Sequence, residues 1–296
     1  MSDTYLVTGA LGCLGSWVCR LLVAGGHGVV AFDLGDDLRR LRDIMSPPEI
    51  DRISFVRGDI ADRAALQATL SENDVTHVVH LAGLQVPFCK ADPPLGARVN
   101  VLGTVAVFEA AVSAGLTTTV AYASSAAVYD ANGRLEPQTL YGVYKLANEG
   151  TARLYWQDRG VASIGLRPFC VYGPGRDQGL TADPTFAIQA AVKGEPYRIG
   201  FGGRTELHYA PDVARAFVLA TRRPPEGARV YDVPGETVHI ADVVAAIEAG
   251  VPGAEITFED AALPFPETLP GERFDAPVTP LAEGIRETVA HFRALA

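Results

Sequence analysis

The stretch TYLVTGALGCLGSWVCRLLVAGGHGVVAFD, residues 4–33, decides the fold. Tyr5–Thr8 and Val29–Asp33 are short, apolar and rich in β-formers, and Ser16–Ala24 between them reads as a helix. A strand, a tight turn, a helix and a second strand make a βαβ unit, the building block of a parallel sheet. Gly9, Gly12 and Gly15 fall in the turn, where missing side chains let backbone approach a pyrophosphate at the helix N-terminus. Their spacing is GxxGxxG rather than the GxGxxG dinucleotide fingerprint. Asp33 closes the second strand, where a carboxylate accepts hydrogen bonds from an adenosine ribose diol and repels a 2′-phosphate. NAD is therefore expected over NADP, with Arg39 and Arg40 close enough in sequence to argue the other way.

The alternation continues outward from this unit. Ser54–Arg57, Val78–Leu81, Thr119–Ser124 and Ser163–Arg167 read as further strands, with helices at Gly103–Ala114 and Tyr141–Asp158. Strand ends such as Gly58-Asp59, Ala82-Gly83 and Ser124-Ser125 are small or polar, as expected at the carboxyl edge where an open α/β sheet binds ligands. Asp59 fits two roles there, a contact to an adenine amino group or a cap for the helix that follows. From Gly173 onward Gly and Pro become frequent and the rhythm loosens, with helices predicted at Pro184–Val192, Asp212–Ala220, Ile240–Ala249 and a last one running to Ala296. The expected fold is α/β, a Rossmann-like doubly wound parallel sheet over residues 1–172 followed by a smaller C-terminal substrate-binding lobe over 173–296. Part of that lobe, residues 205–222, is expected to return to the core.

Composition narrows the function classes. The 296 residues are 48% hydrophobic and 20% charged, enough to bury a large core. A formal charge of -10 and a pI near 5.1 exclude a nucleic-acid surface, which needs a basic face to displace counterions from phosphates. The start, MSDTYLVTGALG, shows no signal-peptide pattern, and no run of about 18 uncharged apolar residues suits a bilayer. Cys13, Cys19, Cys89 and Cys170 are scattered without metal-ligand spacing, so reduced thiols, a cytoplasmic location and no metal site are expected.

Lysine is scarce, with three among 25 basic residues, and one of them, Lys145, stands four positions after Tyr141 in LYGVYKLANEG. Tyr and Lys at i and i+4 share a helix face, so the ammonium can sit near the phenol. A phenol with a pKa of about 10 is a poor base at neutral pH, and nearby positive charge favours its ionised form. Lysine suits this task because it is compact and shares protons, which a guanidinium does not. Ser125 can then hold a substrate oxygen that Tyr141 protonates or deprotonates as hydride moves to or from a nicotinamide.

In order and spacing, TGALGCLG, HLAG at 80–83, Asn100-Val-Leu-Gly-Thr104, SSAAVY at 124–129, YGVYK at 141–145 and RPFCVYGPG at 167–175 resemble the extended short-chain dehydrogenase/reductase family, the NAD-dependent epimerase/dehydratase group. The resemblance covers roughly residues 4–220. It implies Tyr141, Lys145 and Ser125 as the catalytic set, with Lys145 also on the nicotinamide ribose. It implies an NAD site formed by Gly9, Leu11, Gly12, Cys13, Leu14, Gly15, Asp33, Asp59, Ile60, Leu81, Ala82, Gly83, Asn100, Tyr141, Lys145, Pro168 and Val171. A homodimer through the helices at 103–114 and 141–158 is the assembly it implies.

The sequence also departs from that family. Ala126 and Ala127 replace the Asp-Glu pair that drives water loss in the dehydratases, so dehydration is not expected. Cys170 replaces an Asn that contacts the diphosphate region of nucleotide sugars, and a thiol is a weak donor. Thr205 stands where a phosphate-binding Arg is common, with Arg204 one residue out of register, and the connection from Ser125 to Tyr141 is short. These differences point to a carbohydrate-like secondary alcohol smaller than a nucleotide sugar, such as a sugar, sugar acid or polyol. Gln85, Phe88, Lys90, Ser125, Arg176 and Arg204 are the candidate substrate contacts. A nucleotide-sugar 4-epimerase, with a transient ketone, and a non-catalytic NAD-binding regulator are the alternatives.

Overall fold

The structure, a computed structural model, describes residues 3–295, so Met1, Ser2 and the helix end expected at Ala296 lie outside the described residues. In chain order the strands are β1 (Thr4–Thr8), β2 (Gly28–Asp33), β3 (Ile53–Arg57), β4 (His77–His80), β5 (Val120–Ala123), β6 (Ser163–Arg167), β7 (Cys170–Tyr172), β8 (Tyr197–Ile199), β9 (Arg204–Tyr209), β10 (Ala228–Asp232), β11 (Glu236–His239) and β12 (Ile256–Phe258). The helices are α1 (Cys13–Ala24), α2 (Arg39–Ile44), α3 (Pro47–Ile50), α4 (Arg63–Glu72), α5 (Val86–Ala91), α6 (Pro93–Ala97), α7 (Gly103–Ser113), α8 (Leu140–Arg159), α9 (Asp183–Lys193), α10 (Ala210–Thr221), α11 (Ile240–Gly250) and α12 (Leu281–Leu295).

Seven strands form the central sheet in the order β10-β6-β5-β4-β1-β2-β3, every neighbouring pair parallel. β1 is bordered by β2 on one side and β4 on the other, so the strand order reverses beside it and opens a crevice at the carboxyl ends. Alternation along β1 explains the layering. Tyr5 and Val7 enter one apolar layer with Val18 and Leu22 of α1 and Val213 and Phe217 of α10, whereas Leu6 enters the opposite layer with Leu66 of α4 and Val107 and Phe108 of α7. Both faces are covered, which is why the strand reads as an unbroken apolar run. Full burial of Leu6 is worth about 2 kcal/mol, and a one-residue register slip would exchange the two layers.

The segments that return to this core are α10, packed on α1, and β10, which adds the edge strand beside β6. β9 instead lies in a three-stranded sheet, β11-β9-β7. A separate apolar cluster joins Tyr172, Ile188, Leu207, Ile240 and Ile285 around that small sheet and α9, α11 and α12. Pro93–Ser113 is a continuous helical run, α6, a π-helical turn at Arg98–Leu102 and α7, long and apolar enough to cross a membrane by length and composition. Half of it is buried here, and α7 packs on α4 and α8 as a core helix does.

Candidate active site

The glycine turn is folded tightly against the start of α1. Gly9 has a φ of +67°, a region that suits glycine, and its N–H donates to the Phe32 carbonyl at 2.9 Å. A Cβ on Gly15 would stand 2.1 Å from the Gly9 oxygen, so only glycine lets the turn close onto the helix. Gly12 caps α1 with no side-chain hydrogen bond, leaving the first N–H groups of the helix aimed at the crevice. A Cβ on Gly12 would meet nothing but the Gly9 oxygen, so its absence leaves room in the cleft.

Two adjoining cavities of about 250 and 380 Å³ share Gly9, Gly12, Leu81, Gly83 and Leu84 and run along the carboxyl edge of the sheet. The larger holds Leu11, Asp33, Asp59, Ile60 and Ala82, the smaller Cys13, Leu14, Gly15, Ser125, Tyr141, Lys145, Pro168 and Val171. Asp33 accepts from the N–H groups of Leu11 at 3.0 Å and Gly35 at 3.1 Å, which fixes its carboxylate at the end of β2. Asp59 accepts from the Ala61 N–H at 2.9 Å and pairs with Arg98 at 2.7 Å. The cap of α4 is Asp62, not Asp59. Arg39 and Arg40 are both held by Asp177 at 2.7 Å, a pairing no sequence spacing announces. A diphosphate against the bare glycines and helix end, and a ribose against Asp33, fit NAD along this cleft.

The catalytic candidates meet where α8 starts. Thr139 caps it, its hydroxyl accepting from the Gly142 N–H at 3.1 Å, a contact worth about 1 kcal/mol. Tyr141 lies in the first turn and Lys145 one turn on, its ammonium 5.6 Å from the Tyr141 ring centre and donating to the Ala123 carbonyl at 2.8 Å. Ser125 follows β5 in extended backbone, accepts from the Ala127 N–H at 3.1 Å, and faces the same cavity as the Tyr141 phenol. Gly142 makes that meeting possible: a Cβ there would stand 2.1 Å from the Ala127 oxygen, so any larger residue would push α8 off the Ser125 turn. The sequence signal for Gly142 is its place directly after Tyr141, and it passes unread without the turn it packs on.

Burial pushes the Tyr141 phenol up, and the Ser125 hydroxyl and the Arg176 charge pull it back. Lys145 itself is lowered to about 8 by burial, near enough to neutrality to share a proton. His80 is a core group, hydrogen-bonded to Thr8 at 2.7 Å and Thr104 at 3.0 Å, with burial lowering it to about 3. Asn100 lies in the π-helical turn and lines neither cavity. Its amide donates to the carbonyls of Leu84 at 3.1 Å and Gly96 at 3.0 Å, which holds the loop beneath Gly83, and its own side-chain oxygen is buried without a partner.

At the substrate end, Gln85 and Arg176 line the smaller cavity beside Leu180, Thr181 and Phe265, with Arg176 donating to the Thr181 hydroxyl at 3.2 Å. Phe88, Lys90 and Arg204 line neither cavity. Phe88 is half exposed, Lys90 is exposed near the end of α5, and Arg204 faces solvent beside Glu267 at 3.7 Å because its β-strand neighbour, Thr205, takes the inward position. Cys170 is fully buried, its thiol directed at the Thr181 carbonyl and pushed up to about 12 by burial. Thr181 and Phe265 carry no sequence signal; Phe265 sits in the proline-rich tail and reaches the cavity through the tertiary fold.

The sequence pattern of the NAD dependent epimerase/dehydratase family matches residues 5–234. A UDP-glucose 4-epimerase of Mycolicibacterium smegmatis is 33% identical over 314 aligned residues, covering 97% of this chain and 98% of that protein. A Thermus thermophilus UDP-glucose 4-epimerase in complex with NAD superposes with a TM-score of 0.76 at 26% identity, over 99% of this chain and 100% of that one. A partial-consensus L-threonine 3-dehydrogenase superposes with a TM-score of 0.86 at 24% identity, over 99% and 100%, a likeness of fold. With the glycine turn, Asp33 and the Ser125, Tyr141 and Lys145 cluster in place, the chain belongs to the NAD-dependent epimerase/dehydratase family and is an NAD-dependent enzyme.

Proposed function

We propose that this enzyme oxidises a secondary alcohol on a small carbohydrate-like substrate, best a sugar acid, rather than a nucleotide sugar. The observation that carries the reading is the charge of the smaller cavity. Its cationic lining residues are Lys145, committed to the Ala123 carbonyl, and Arg176, and no Asp or Glu lines it among the described residues. A guanidinium facing a partly desolvated cavity without a carboxylate calls for an anionic ligand group. One carboxylate satisfies it. A substrate diphosphate would demand further donors, and Lys90, Arg204 and Cys170 are turned elsewhere.

Ser125 and Tyr141 would hold the substrate hydroxyl between them, and Tyr141 would take its proton as the carbon gives up hydride. NAD, when bound, supplies the hydride acceptor and a positive charge beside the phenol. Lys145, low enough to exchange a proton, would pass charge between Tyr141 and solvent. The same reading includes a homodimer through α7 and α8, supported by Leu102 just before α7 and by Val143, Leu154 and Trp156 on α8, which are apolar and exposed. The second reading, 4-epimerisation of a UDP-sugar, is supported by the Mycolicibacterium smegmatis relative.

Supplying NAD with free sugars and sugar acids in one panel and nucleotide sugars in the other tests the choice. Net NADH formation from a free sugar acid, with KM raised at least about tenfold in Arg176→Ala, is the expected result. Isomerised nucleotide sugar without net NADH would overturn it.

A further inference from the structure

Cofactor choice appears in the sequence as a contest between Asp33, which repels a 2′-phosphate, and Arg39 and Arg40, which would attract one. The structure adds a third party. Asp177, on the loop that follows β7, accepts from Arg39 Nη2 at 2.7 Å, Arg40 Nη2 at 2.7 Å and Arg40 Nε at 3.3 Å. The remaining Arg40 Nη1 donates to the Leu11 carbonyl at 2.9 Å, and the Leu11 N–H donates to Asp33 at 3.0 Å. Asp33, the glycine turn, Arg40 and Asp177 are thus one hydrogen-bonded chain along the adenosine side of the cleft.

We propose that Asp177 is a cofactor-specificity residue: it occupies the two guanidinium groups that would otherwise bind the 2′-phosphate of NADP. Discrimination then has two parts. Asp33 repels the phosphate, and Asp177 removes the cations that would compensate. Arg40 carries most of the effect, because its side chain is 17% exposed and lines the adenosine cavity, with Asp177 at 27%. Arg39 is 56% exposed and has a second carboxylate, Asp37, at 3.8 Å, so solvent and Asp37 weaken its share. The arrangement places the determinant far in sequence from β2, on the residue next to Arg176, which lines the reaction cavity.

Calorimetric binding of NAD and NADP to the whole protein, in the absence of substrate, tests this through Asp33→Ala, Asp177→Asn and the double variant. In Asp33→Ala alone, NADP affinity should rise by less than about threefold, because both arginines stay occupied. Adding Asp177→Asn should tighten NADP by at least a further factor of about ten, and Arg40→Ala in that background should abolish the gain. Arg40→Ala in Asp33→Ala alone should leave NADP affinity unchanged. Should Asp177→Asn not fold, as judged by thermal melting without dinucleotide, Asp177→Ser carries the same test. If Asp33→Ala alone binds NADP as tightly as the double variant, or if the double variant gains nothing, Asp177 does not set specificity.

Discussion

The two halves of the cleft are fixed in place by different means. Along the glycine turn and at the start of α8, backbone approaches backbone: Gly15 lies under the Gly9 oxygen and Gly142 under the Ala127 oxygen, with apolar layers on either side of the sheet. On the other side, loops are tied by buried charge. Glu206 on β9 accepts from Arg273, His208 and the Leu269 N–H, and Asp232 at the end of β10 accepts from Tyr129 and the Gly271 N–H. Close packing of glycine against backbone tolerates almost no substitution. Charge networks join residues far apart: Glu206 and Asp232 tie down the 269–273 segment that follows Phe265.

The largest effect should come from the proposed catalytic cluster. Tyr141→Phe keeps the ring and loses the proton that moves, so kcat should fall by about 10³-fold while NAD affinity stays within about threefold, by steady-state kinetics and calorimetry. Near-normal turnover would remove Tyr141 from the mechanism.

Next is Gly142→Ala, which probes backbone contact directly. The added Cβ would displace α8 from the Ser125 turn, and a shift of about 1 Å there should lower kcat by about 10²-fold with NAD binding retained. Unchanged kcat would mean that the approach of α8 to Ala127 does not position Tyr141.

Glu206→Gln tests the charged side. Burial alone would raise the Glu206 carboxyl, but hydrogen bonds from His208 and Arg273 outweigh it and bring it down to about 2. A depressed carboxylate stabilises the fold above its unfolded pKa of about 4.3 and loses that contribution as pH falls toward 2. Denaturant unfolding at pH 7 should show Glu206→Gln less stable by about 3 kcal/mol, the gap shrinking on acidification through pH 4 to 2. A gap that holds constant with pH would show that the network contributes by packing rather than by charge.

The same contrast explains what is legible in the sequence. The turn at Gly9, Gly12 and Gly15, Asp33 at the strand end, and Tyr141 with Lys145 on one helix face are local patterns, and the fold places each in the cleft. β10 as an edge strand is not legible, because its partner β6 lies far back in the chain. Nor is the split among the substrate candidates. Arg176 and Arg204 look equivalent as isolated arginines, yet the pleat of β9 turns Arg204 outward, and the loop after β7 brings Arg176 to Thr181. Phe265 reaches the cleft, and Asp177 reaches Arg40 at its edge, by tertiary packing that no periodicity encodes.

The central claim, that the reaction end is built for one small anionic group and not for a nucleotide diphosphate, is tested most directly by titrating UDP into the NAD-loaded enzyme in a calorimeter. The account predicts no binding tighter than about 1 mM, equivalent to about -4 kcal/mol. A dissociation constant of about 10 μM or below, weakened in Arg176→Ala, would contradict it and establish the nucleotide-sugar reading.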